Sequence, residues 1–313
     1  IGKLGKINID REFLFNSHIL KIEPISDKVN RDYLYHFLIS KSKEIENLKL
    51  GVILPALDID RLKKIKISLP DLATQSRIAN KLNKFWELSK ELEKELNLRK
   101  KQYEYYRDEL LSFKQDNKIE WLTLGEIATE LYRGVGIKKD EAIEGVGHPC
   151  VRYGWIHTSN LIYFDKCPFG IDETLIKNKR YAEKNDLLFV ITSENIQDIE
   201  KSCAYIGKKP ILVGGDIVIM KHNQNPKYLA YTLSTGDALL QKTKGKIKSK
   251  VVHSNIDQIK KLIIPIPSLE KQQEIVNLLD KFWELSNNIK EGLPAEIFLR
   301  KQQYEYYRNK LLI

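Results

Sequence analysis

Two stretches of this chain decide its fold: residues 58–88 read DIDRLKKIKISLPDLATQSRIANKLNKFWEL, and residues 255–285 read NIDQIKKLIIPIPSLEKQQEIVNLLDKFWEL. They align without a gap, at a constant offset of 197 residues. The match resumes downstream, where RKKQYEYYRDELL at 99–111 returns as RKQQYEYYRNKLL at 300–312. Self-similarity of this length indicates an internal duplication, in which residues 1–113 correspond to roughly residues 206–313.

The second copy extends upstream to about Trp121, whereas the first copy has no such upstream part. If both modules had the same length, about 76 residues of the first module would lie before Ile1. The chain also opens with isoleucine instead of methionine. We therefore expect either that the first module is truncated or that a front part of it precedes Ile1.

A long amphipathic helix closes each copy, because apolar residues there alternate at spacings of four and three, the pattern of a heptad seam. Residues 71–113 contain neither Gly nor Pro, and Asp71 is predicted as the N-cap. A helix of that length spans ~60 Å at ~1.5 Å per residue. The predicted seam positions are Leu82, Phe85, Leu92, Leu96, Tyr103, Tyr106, Leu110, Leu279, Phe282, Ile289, Leu293, Tyr304, Tyr307 and Leu311.

The helix of the second copy carries four additional residues between Phe282 and Arg300, near Gly292 and Pro294, which predicts a kink or short break near 292–294. Two such helices pack most economically on each other, as an antiparallel coiled coil within a pseudo-two-fold repeat. The alternative is that each stripe packs on its own domain. Tyr105 falls off the seam and is expected to face a partner or solvent.

The region 121–267 has the pattern of a mixed α/β (α+β) module. Short apolar runs at 186–191 and 216–220 predict strands, and residues 225–233 predict a helix that begins at its proline. Two prolines confine 261–267 to an edge segment. The expected domains are 1–70, the C-terminal part of a first globular module; 71–113, the first long helix; 114–267, the second module; and 268–313, the second long helix.

Composition places the chain among globular proteins, with 313 residues and 42% hydrophobic residues. No apolar run approaches the ~20 residues that span a bilayer, so no membrane segment is expected. Its three cysteines, Cys150, Cys167 and Cys203, form no CxxC pair. A disulfide framework is therefore not expected, and a reducing cytoplasm fits best.

The net charge of +10 is concentrated in two segments, with +4 in residues 1–70 (13 basic, 9 acidic) and +5 in 121–267 (21 basic, 16 acidic). Such an excess on globular parts suggests a polyanionic partner. In 242–250, KTKGKIKSK, a lysine at every second position would put five ammonium groups on one face of an extended chain, and a flexible solvated loop is the alternative. The phosphate-binding candidates are Lys242, Lys244, Lys246, Lys248, Lys250, Arg133, Lys138, Lys139, Arg152, Lys177, Lys179, Arg180, Lys208, Lys209 and Lys49, with His157 beside Arg152.

Motifs for catalysis are missing from the sequence. No GxxxxGK[ST] loop is present, and Gly134-Val135-Gly136 is interpreted as a plain loop. Asn225-Pro226-Lys227-Tyr228 resembles the Asn/Asp-Pro-Pro-Tyr loop of amino-group DNA methyltransferases, but its third residue is Lys, so we interpret it as a helix start. His148 and Cys150 lack partners at metal-ligand spacing, so neither a metal site nor a catalytic residue is predicted.

This organisation resembles the specificity (S) subunit of type I restriction–modification systems. The residues that carry the resemblance are 255–282, NIDQIKKLIIPIPSLEKQQEIVNLLDKF, their copy at 58–85, and the module opening WLTLGEIATELYRG at 121–134. The resemblance implies that each globular module is a target recognition domain that reads one half of a split double-stranded DNA sequence, while the two helices set the spacer.

The resemblance also implies partners. Two copies of a methylation (M) subunit would dock on the repeated helices, and restriction (R) subunits would join the complex. S-adenosylmethionine and ATP with Mg would bind to those partners, so this chain is expected to bind no cofactor and to be no enzyme. A structural coiled-coil protein without a DNA role and a stand-alone methyltransferase are the alternatives. The first predicts no salt-sensitive DNA binding, and the second predicts S-adenosylmethionine binding by this chain alone.

Overall fold

The computed structural model describes residues 2–7, 12, 14–24, 27–51, 56–113, 118–246, 250–287 and 292–312, without the side chains of 286 and 287. The helices in these ranges are α1 (Arg31–Ser40), α2 (Ser42–Glu46), α3 (Ile59–Leu62), α4 (Leu72–Leu110), α5 (Leu124–Ile127), α6 (Tyr153–Ser159), α7 (Pro226–Thr232), α8 (Gly236–Thr243), α9 (Ile256–Lys260), α10 (Leu269–Asn287) and α11 (Leu293–Leu311). Short 3-10 turns cover Glu173–Leu175 and Ile196–Asp198.

The strands are short and most of them lie after α4. They are β1 (Lys49–Leu50), β2 (Ala56–Leu57), β3 (Glu120–Thr123), β4 (Ala128–Arg133), β5 (Ile143–Glu144), β6 (His148–Val151), β7 (Tyr163–Phe164), β8 (Phe169–Ile171), β9 (Tyr181–Ala182), β10 (Leu187–Val190), β11 (Thr192–Ser193), β12 (Ser202–Tyr205), β13 (Ile211–Val213), β14 (Ile217–His222), β15 (Val252–His253) and β16 (Ile263–Ile266). The chain is thus mixed α/β, as the sequence predicts.

The long helix α4 has 39 residues and is continuous from its first turn to its last. Asp71 begins it as predicted, because its side-chain Oδ1 accepts a hydrogen bond from the backbone N–H of Thr74 at 2.9 Å. In the second copy two helices, α10 and α11, occupy the range where a helix with a kink or short break is expected. Gly292 is the N-cap of α11, and Pro294 is tolerated in its first turn, where backbone N–H groups have no partner within the helix.

The chain divides into two compact units. The first comprises Ile1–Arg99 and Leu285–Ile313, and the second comprises Lys100–Glu284. Each copy of the long helical segment therefore contributes one part to each unit. The predicted domains, by contrast, are consecutive ranges of the sequence. The domain boundaries given above remain a prediction.

The first unit packs α1 against the first part of α4 and against α11. Its buried cluster joins Tyr33, Ile78, Ala79, Leu82 and Tyr304 of these helices with Leu312, which follows α11. Stacking of Phe85 on Tyr307 and an ion pair from Lys301 to Glu93 at 2.8 Å show that the α4 segment and α11 run antiparallel. A small antiparallel ladder, β1 with β2, completes the described part of this unit.

The second unit is built on two five-stranded sheets, in the orders β4-β14-β10-β12-β7 and β5-β8-β6-β13-β9. Parallel pairing occurs between β12 and β7 and between β13 and β6, and the other pairs in the two sheets are antiparallel. Central β10 is buried on both faces, because Leu187 and Phe189 point into one core cluster while Leu188 and Val190 point into the other. The strands predicted at 186–191 and 216–220 are thereby confirmed as β10 and β14.

The remaining predicted elements of the second module are also confirmed. Residues 225–233 form α7, which Asn225 caps by accepting hydrogen bonds from the N–H groups of Lys227 and Tyr228 at 3.1 and 3.2 Å. Residues 263–266 form β16, which pairs only with β3 within the described residues, as an edge segment with prolines must.

Candidate nucleic-acid interface

The prediction of an extended lysine row in 242–250 is wrong for its first member. Lys242 lies in α8, is buried, and donates a hydrogen bond from Nζ to the backbone oxygen of Leu233 at 2.7 Å. Burial disfavours the charged ammonium and lowers the pKa of Lys242 to about 8. This side chain cannot reach a phosphate, so Lys242 is not a DNA contact.

Lys246 is likewise engaged inside the protein instead of facing solvent. Its ammonium pairs with the buried carboxylate of Glu200, which also accepts a hydrogen bond from the hydroxyl of Ser254. This contact anchors the lysine-rich segment to the start of β12 and leaves only Lys244 and Lys250 exposed among the described members of the row. Lys248 lies outside the described residues.

The buried lysine has a measurable consequence for stability. The folded-state pKa of Lys242, about 8, lies below its ordinary value of 10.5. Between these values the unfolded chain binds more protons than the folded one, so the free energy of unfolding rises with pH, by about 2 kcal/mol from pH 8 to pH 10. We expect Lys242→Met to remove this rise in pH-dependent urea unfolding. The exposed neighbour variant Lys244→Met should keep it, and equal slopes in both variants would contradict the assignment.

The other candidates of the second module are mostly exposed. Lys138 and Lys179 form loose ion pairs with Glu141 and Glu173, at 3.4 and 3.8 Å. The guanidinium of Arg180 lies 5.5 Å from the ring centre of Tyr132. Exposed side chains are also found at Lys139, Lys177, Lys208 and Lys209. Lys49, in the first unit, is exposed and lies 3.8 Å from Glu46.

Arg133 and Arg152 are brought together at one cleft, although 19 positions separate them in the sequence. Arg133 ends β4, and Arg152 follows β6 as the N-cap residue of α6. Both line a cleft of about 310 Å³ together with Tyr153 and Asp216. His157, predicted beside Arg152, instead uses its Nε2 in a contact with the backbone oxygen of Thr192 at 3.1 Å.

The glycines of this cleft are a feature that sequence reasoning missed. Gly134 was interpreted as part of a plain loop, yet a Cβ at this position would lie 2.3 Å from the backbone oxygen of Gly214. The strand end at 134 and the turn at 214 can therefore approach each other only without a side chain. The sequence does contain a signal, because two glycines, Gly134 and Gly136, follow the residues of β4. It does not reveal that Gly134 packs against Gly214.

A fully buried glutamine joins each globular part to its long helix. In the second unit, Gln272 Oε1 accepts from the backbone N–H of Asn225 at 3.0 Å, and its Nε2 donates to Gln224 Oε1 at 2.7 Å and to Pro267 O at 2.9 Å. The glutamine ties the N-cap of α7 to the proline that precedes α10. Its role was not foreseen, although the repeat aligns it.

The first unit contains the equivalent arrangement around Gln75, which is also fully buried. Gln75 Oε1 accepts from the backbone N–H of Asn30 at 2.8 Å, and its Nε2 donates to Lys28 O at 2.9 Å and to Pro70 O at 2.7 Å. Asn30 caps α1 as Asn225 caps α7. The repeated sequence is thus matched by a repeated hydrogen-bond pattern.

Aromatic residues pair in the same way within each unit. In the second unit Tyr106 stacks on Phe282 with ring centres 5.4 Å apart. In the first unit Tyr307 stacks on Phe85 at 5.1 Å. These four residues are equivalent pairs in the repeat, so in each unit the YEYY segment of one copy packs on the FWEL segment of the other copy.

The second tyrosine of each YEYY segment differs in exposure from the first. Tyr105 and its equivalent Tyr306 are 64% and 60% exposed. The off-seam position of Tyr105 is consistent with this exposure. Buried Tyr103 and Tyr304, by contrast, belong to the core clusters of their units.

The remaining sequence motifs concern metal binding, the Asn-Pro-Lys-Tyr segment and the cysteines. No group of three or more His, Cys, Asp or Glu residues in these ranges could hold a metal ion. Tyr228 of the Asn-Pro-Lys-Tyr segment is buried, and its hydroxyl donates to Pro265 O at 2.9 Å, so this segment serves the fold. Cys150, Cys167 and Cys203 are free thiols. Across the described helices, none combines the length and apolar character of a membrane span.

Comparison with known sequences identifies the family. The model for the type I restriction modification DNA specificity domain matches residues 1–99 and 117–298. The EcoR124I/EcoR124II specificity subunit of Escherichia coli is 37% identical over 261 residues, 80% of this chain. The chain spans 63% of the length of that relative. A putative type I specificity subunit of Mycoplasma pneumoniae is 28% identical over 312 residues, which cover 95% of this chain and 85% of that protein.

Solved structures agree on the fold. The S subunit of a type I restriction-modification system from M. genitalium covers 91% of this chain and 73% of its own, with a TM-score of 0.55 at 18% identity. A chain from a study of type I R-M complex assembly and conformational transition covers 90% of this chain and 70% of its own, with a TM-score of 0.62 at 14% identity. The matched family is a DNA specificity family and not a catalytic one. The chain therefore belongs to the type I restriction-modification DNA specificity family.

Proposed function

We propose that this chain is the DNA-recognition subunit of a type I restriction–modification complex. It acts in the cytoplasm as a non-catalytic targeting subunit, and each globular module reads one half of a bipartite double-stranded DNA target. The exposed basic residues of the second module support this role, because lysine and arginine neutralise phosphates and position a protein on the duplex. The exposed members are Arg133, Lys138, Lys139, Lys177, Lys179, Arg180, Lys208, Lys209, Lys244 and Lys250.

The repeated helices serve as the docking surface for two copies of a methylation subunit. The observation that carries this proposal is a set of exposed apolar side chains that recur at equivalent positions of the repeat: Leu72 with Leu269, Leu88 with Leu285, Leu98 with Leu299, and Tyr105 with Tyr306. Packing within the chain explains why buried apolar residues are the same in both copies. It does not explain why exposed apolar residues are also the same. Exposed apolar residues mark interaction sites, and two identical partners need two equivalent surfaces.

The chemistry belongs to the partners in this proposal. Methylation subunits bind S-adenosylmethionine and transfer the methyl group, and restriction subunits use ATP with Mg, while this chain binds neither cofactor. The antiparallel helices set the distance between the two half-sites and hence the length of the unread spacer.

Native mass spectrometry of this chain with its methylation subunit tests the proposal. We expect a complex with two methylation subunits per chain, which binds duplex DNA in a salt-sensitive way. DNA binding without methylation subunits would make the docking role wrong. If the chain binds neither DNA nor methylation subunits, the structural coiled-coil alternative is favoured. If this chain alone binds S-adenosylmethionine, it is a methyltransferase.

A further inference from the structure

The cleft of Arg133 and Arg152 lies where the two five-stranded sheets of the second unit meet. The N–H groups of Gly134 and Val135 donate to Ile217 O and Val213 O, both at 2.9 Å, and Gly214 N donates to Val151 O at 2.9 Å. The Val135 bond thereby fastens the residues after β4, a strand of the first sheet, to β13 of the second. The cleft is therefore lined by strand ends that are hydrogen-bonded to one another.

Both arginines are held by their Nε atoms. Arg152 Nε donates to the backbone oxygen of Ile137 at 3.2 Å, and Arg133 Nε donates to that of Gly215. Arg133 also places Nη2 3.3 Å from the carboxylate of Asp216, which the hydroxyl of Thr192 shares at 3.0 Å. Within the described residues no carboxylate lies within ion-pair distance of Arg152. An anchored Nε fixes the plane of a guanidinium and leaves its terminal nitrogens for two further acceptors.

The charge of the cleft and the anchoring of its arginines select its ligand. Two guanidinium groups face one carboxylate, so the cleft carries a net positive charge suited to an anion. Arg152 is partly buried and its Nε is bound to the backbone oxygen of Ile137, which shortens its reach toward base edges at the bottom of a major groove ~8.5 Å deep. A backbone phosphate projects from the duplex and presents two oxygens to a guanidinium fork.

We propose that this glycine-lined cleft seats one backbone phosphate of bound DNA, with Arg152 as its principal ligand and Arg133 as the second. The proposal rests on the DNA-recognition function and names the part of that site that contacts the backbone. The contact fixes the register of the second module on the duplex and carries no sequence information itself.

The test is binding of duplexes of several sequences, with and without the cognate motif, to the full chain in complex with its methylation subunits, measured across a range of salt. We expect Arg152→Ala to weaken binding on every sequence and to make the slope of log affinity against log salt shallower by about 1. Gly136→Leu should act in the same direction without changing charge, since a Cβ at Gly136 meets nothing within 4 Å and a larger side chain there fills the cleft.

Two control variants separate this contact from general effects. Arg77→Ala removes one charge from an exposed position on α4, and Gly5→Leu adds the same side chain at another glycine whose Cβ would meet nothing within 4 Å. Neither should change the salt slope, and thermal melting should show all variants folded. Arg152→Lys should keep the slope, because it keeps the charge, while losing affinity.

The outcomes separate this inference from the proposed function. Wild-type complex that fails to bind DNA would overturn the proposed function itself. Wild-type binding with an unchanged slope in Arg152→Ala and Gly136→Leu would overturn only the phosphate site. A loss confined to one cognate sequence would also overturn it, since Arg152 would then be reading a base.

Discussion

Replacing Gln272 by alanine lowers the free energy of unfolding of the second unit by about 3 kcal/mol, because the backbone N–H of Asn225 and the backbone oxygen of Pro267 are left buried without their partner. Gln272 is fully buried, so water cannot replace these bonds easily. Gln75→Ala should cost a similar amount in the first unit, where Gln75 makes the equivalent bonds to Asn30 N–H and Pro70 O and a third to the backbone oxygen of Lys28. Urea unfolding followed by circular dichroism measures both losses.

The matched control is Gln302→Ala, which removes an exposed glutamine from α11. Surface substitutions of this kind usually change stability by less than about 0.5 kcal/mol. Hydrogen exchange should locate the effect of Gln272→Ala at α7 and at the start of α10, the two elements that Gln272 connects. A loss no larger than that of the control would show that these hydrogen bonds contribute little to the junction.

The second large effect concerns docking of the methylation subunits. Tyr105→Ala and Tyr306→Ala should each remove one of two methylation subunits, since each tyrosine presents an exposed ring at an equivalent position of the repeat. A tyrosine at the centre of an interface contributes about 2 kcal/mol or more, which corresponds to roughly 30-fold in affinity. Native mass spectrometry should show a single bound subunit in each variant and none in the double variant.

Phe298 offers a control of the same chemistry. It is exposed on α11, but its equivalent in the first copy is Asn97, so a surface used twice cannot depend on it. Phe298→Ala is expected to retain both methylation subunits. Loss of both subunits from either single tyrosine variant would mean that the two docking sites are not independent, and no loss would place the interface elsewhere.

The repeat made much of the fold predictable. Two copies aligned at a constant offset identify the long helices, their N-cap at Asp71 and the edge segment at 263–266, because periodicity and proline placement are local signals. The exposure of Tyr105 is consistent with the same heptad spacing. The division into units was not predictable from linear order, since each unit combines parts of both copies.

The lysine row shows where sequence reasoning failed at the candidate site. A lysine at every second position faces one side only if the chain is extended. Here Thr235 instead caps helix α8, since its hydroxyl accepts a hydrogen bond from the N–H of Ala238 at 3.3 Å. The Ala, Leu, Gln and Lys residues that follow favour a helix. The pairing of Lys246 with Glu200 joins residues 46 positions apart, which no local pattern reveals. In this row, Lys242 and Lys246 stabilise the fold instead of facing DNA.

The cleft illustrates a different limit. Arg133 and Arg152 were both candidates because of their charge, but only the packing of Gly134 against Gly214 places them at one site. In the sequence alone, a glycine is equally consistent with a tight backbone contact and with a plain loop. The structure decides for Gly134, because a Cβ there would collide with the backbone oxygen of Gly214. The sequence therefore shows that both residues are charged, but only the structure shows that they lie at the same cleft.

The most direct test of the central claim is methylome sequencing of the native host with and without this chain. A DNA-recognition subunit should be required for methylation at one bipartite motif, two short specified half-sites separated by a fixed unspecified spacer. We expect methylation at that motif to disappear when the chain is deleted and to return when it is restored. A methylome that is unchanged by the deletion would contradict the account.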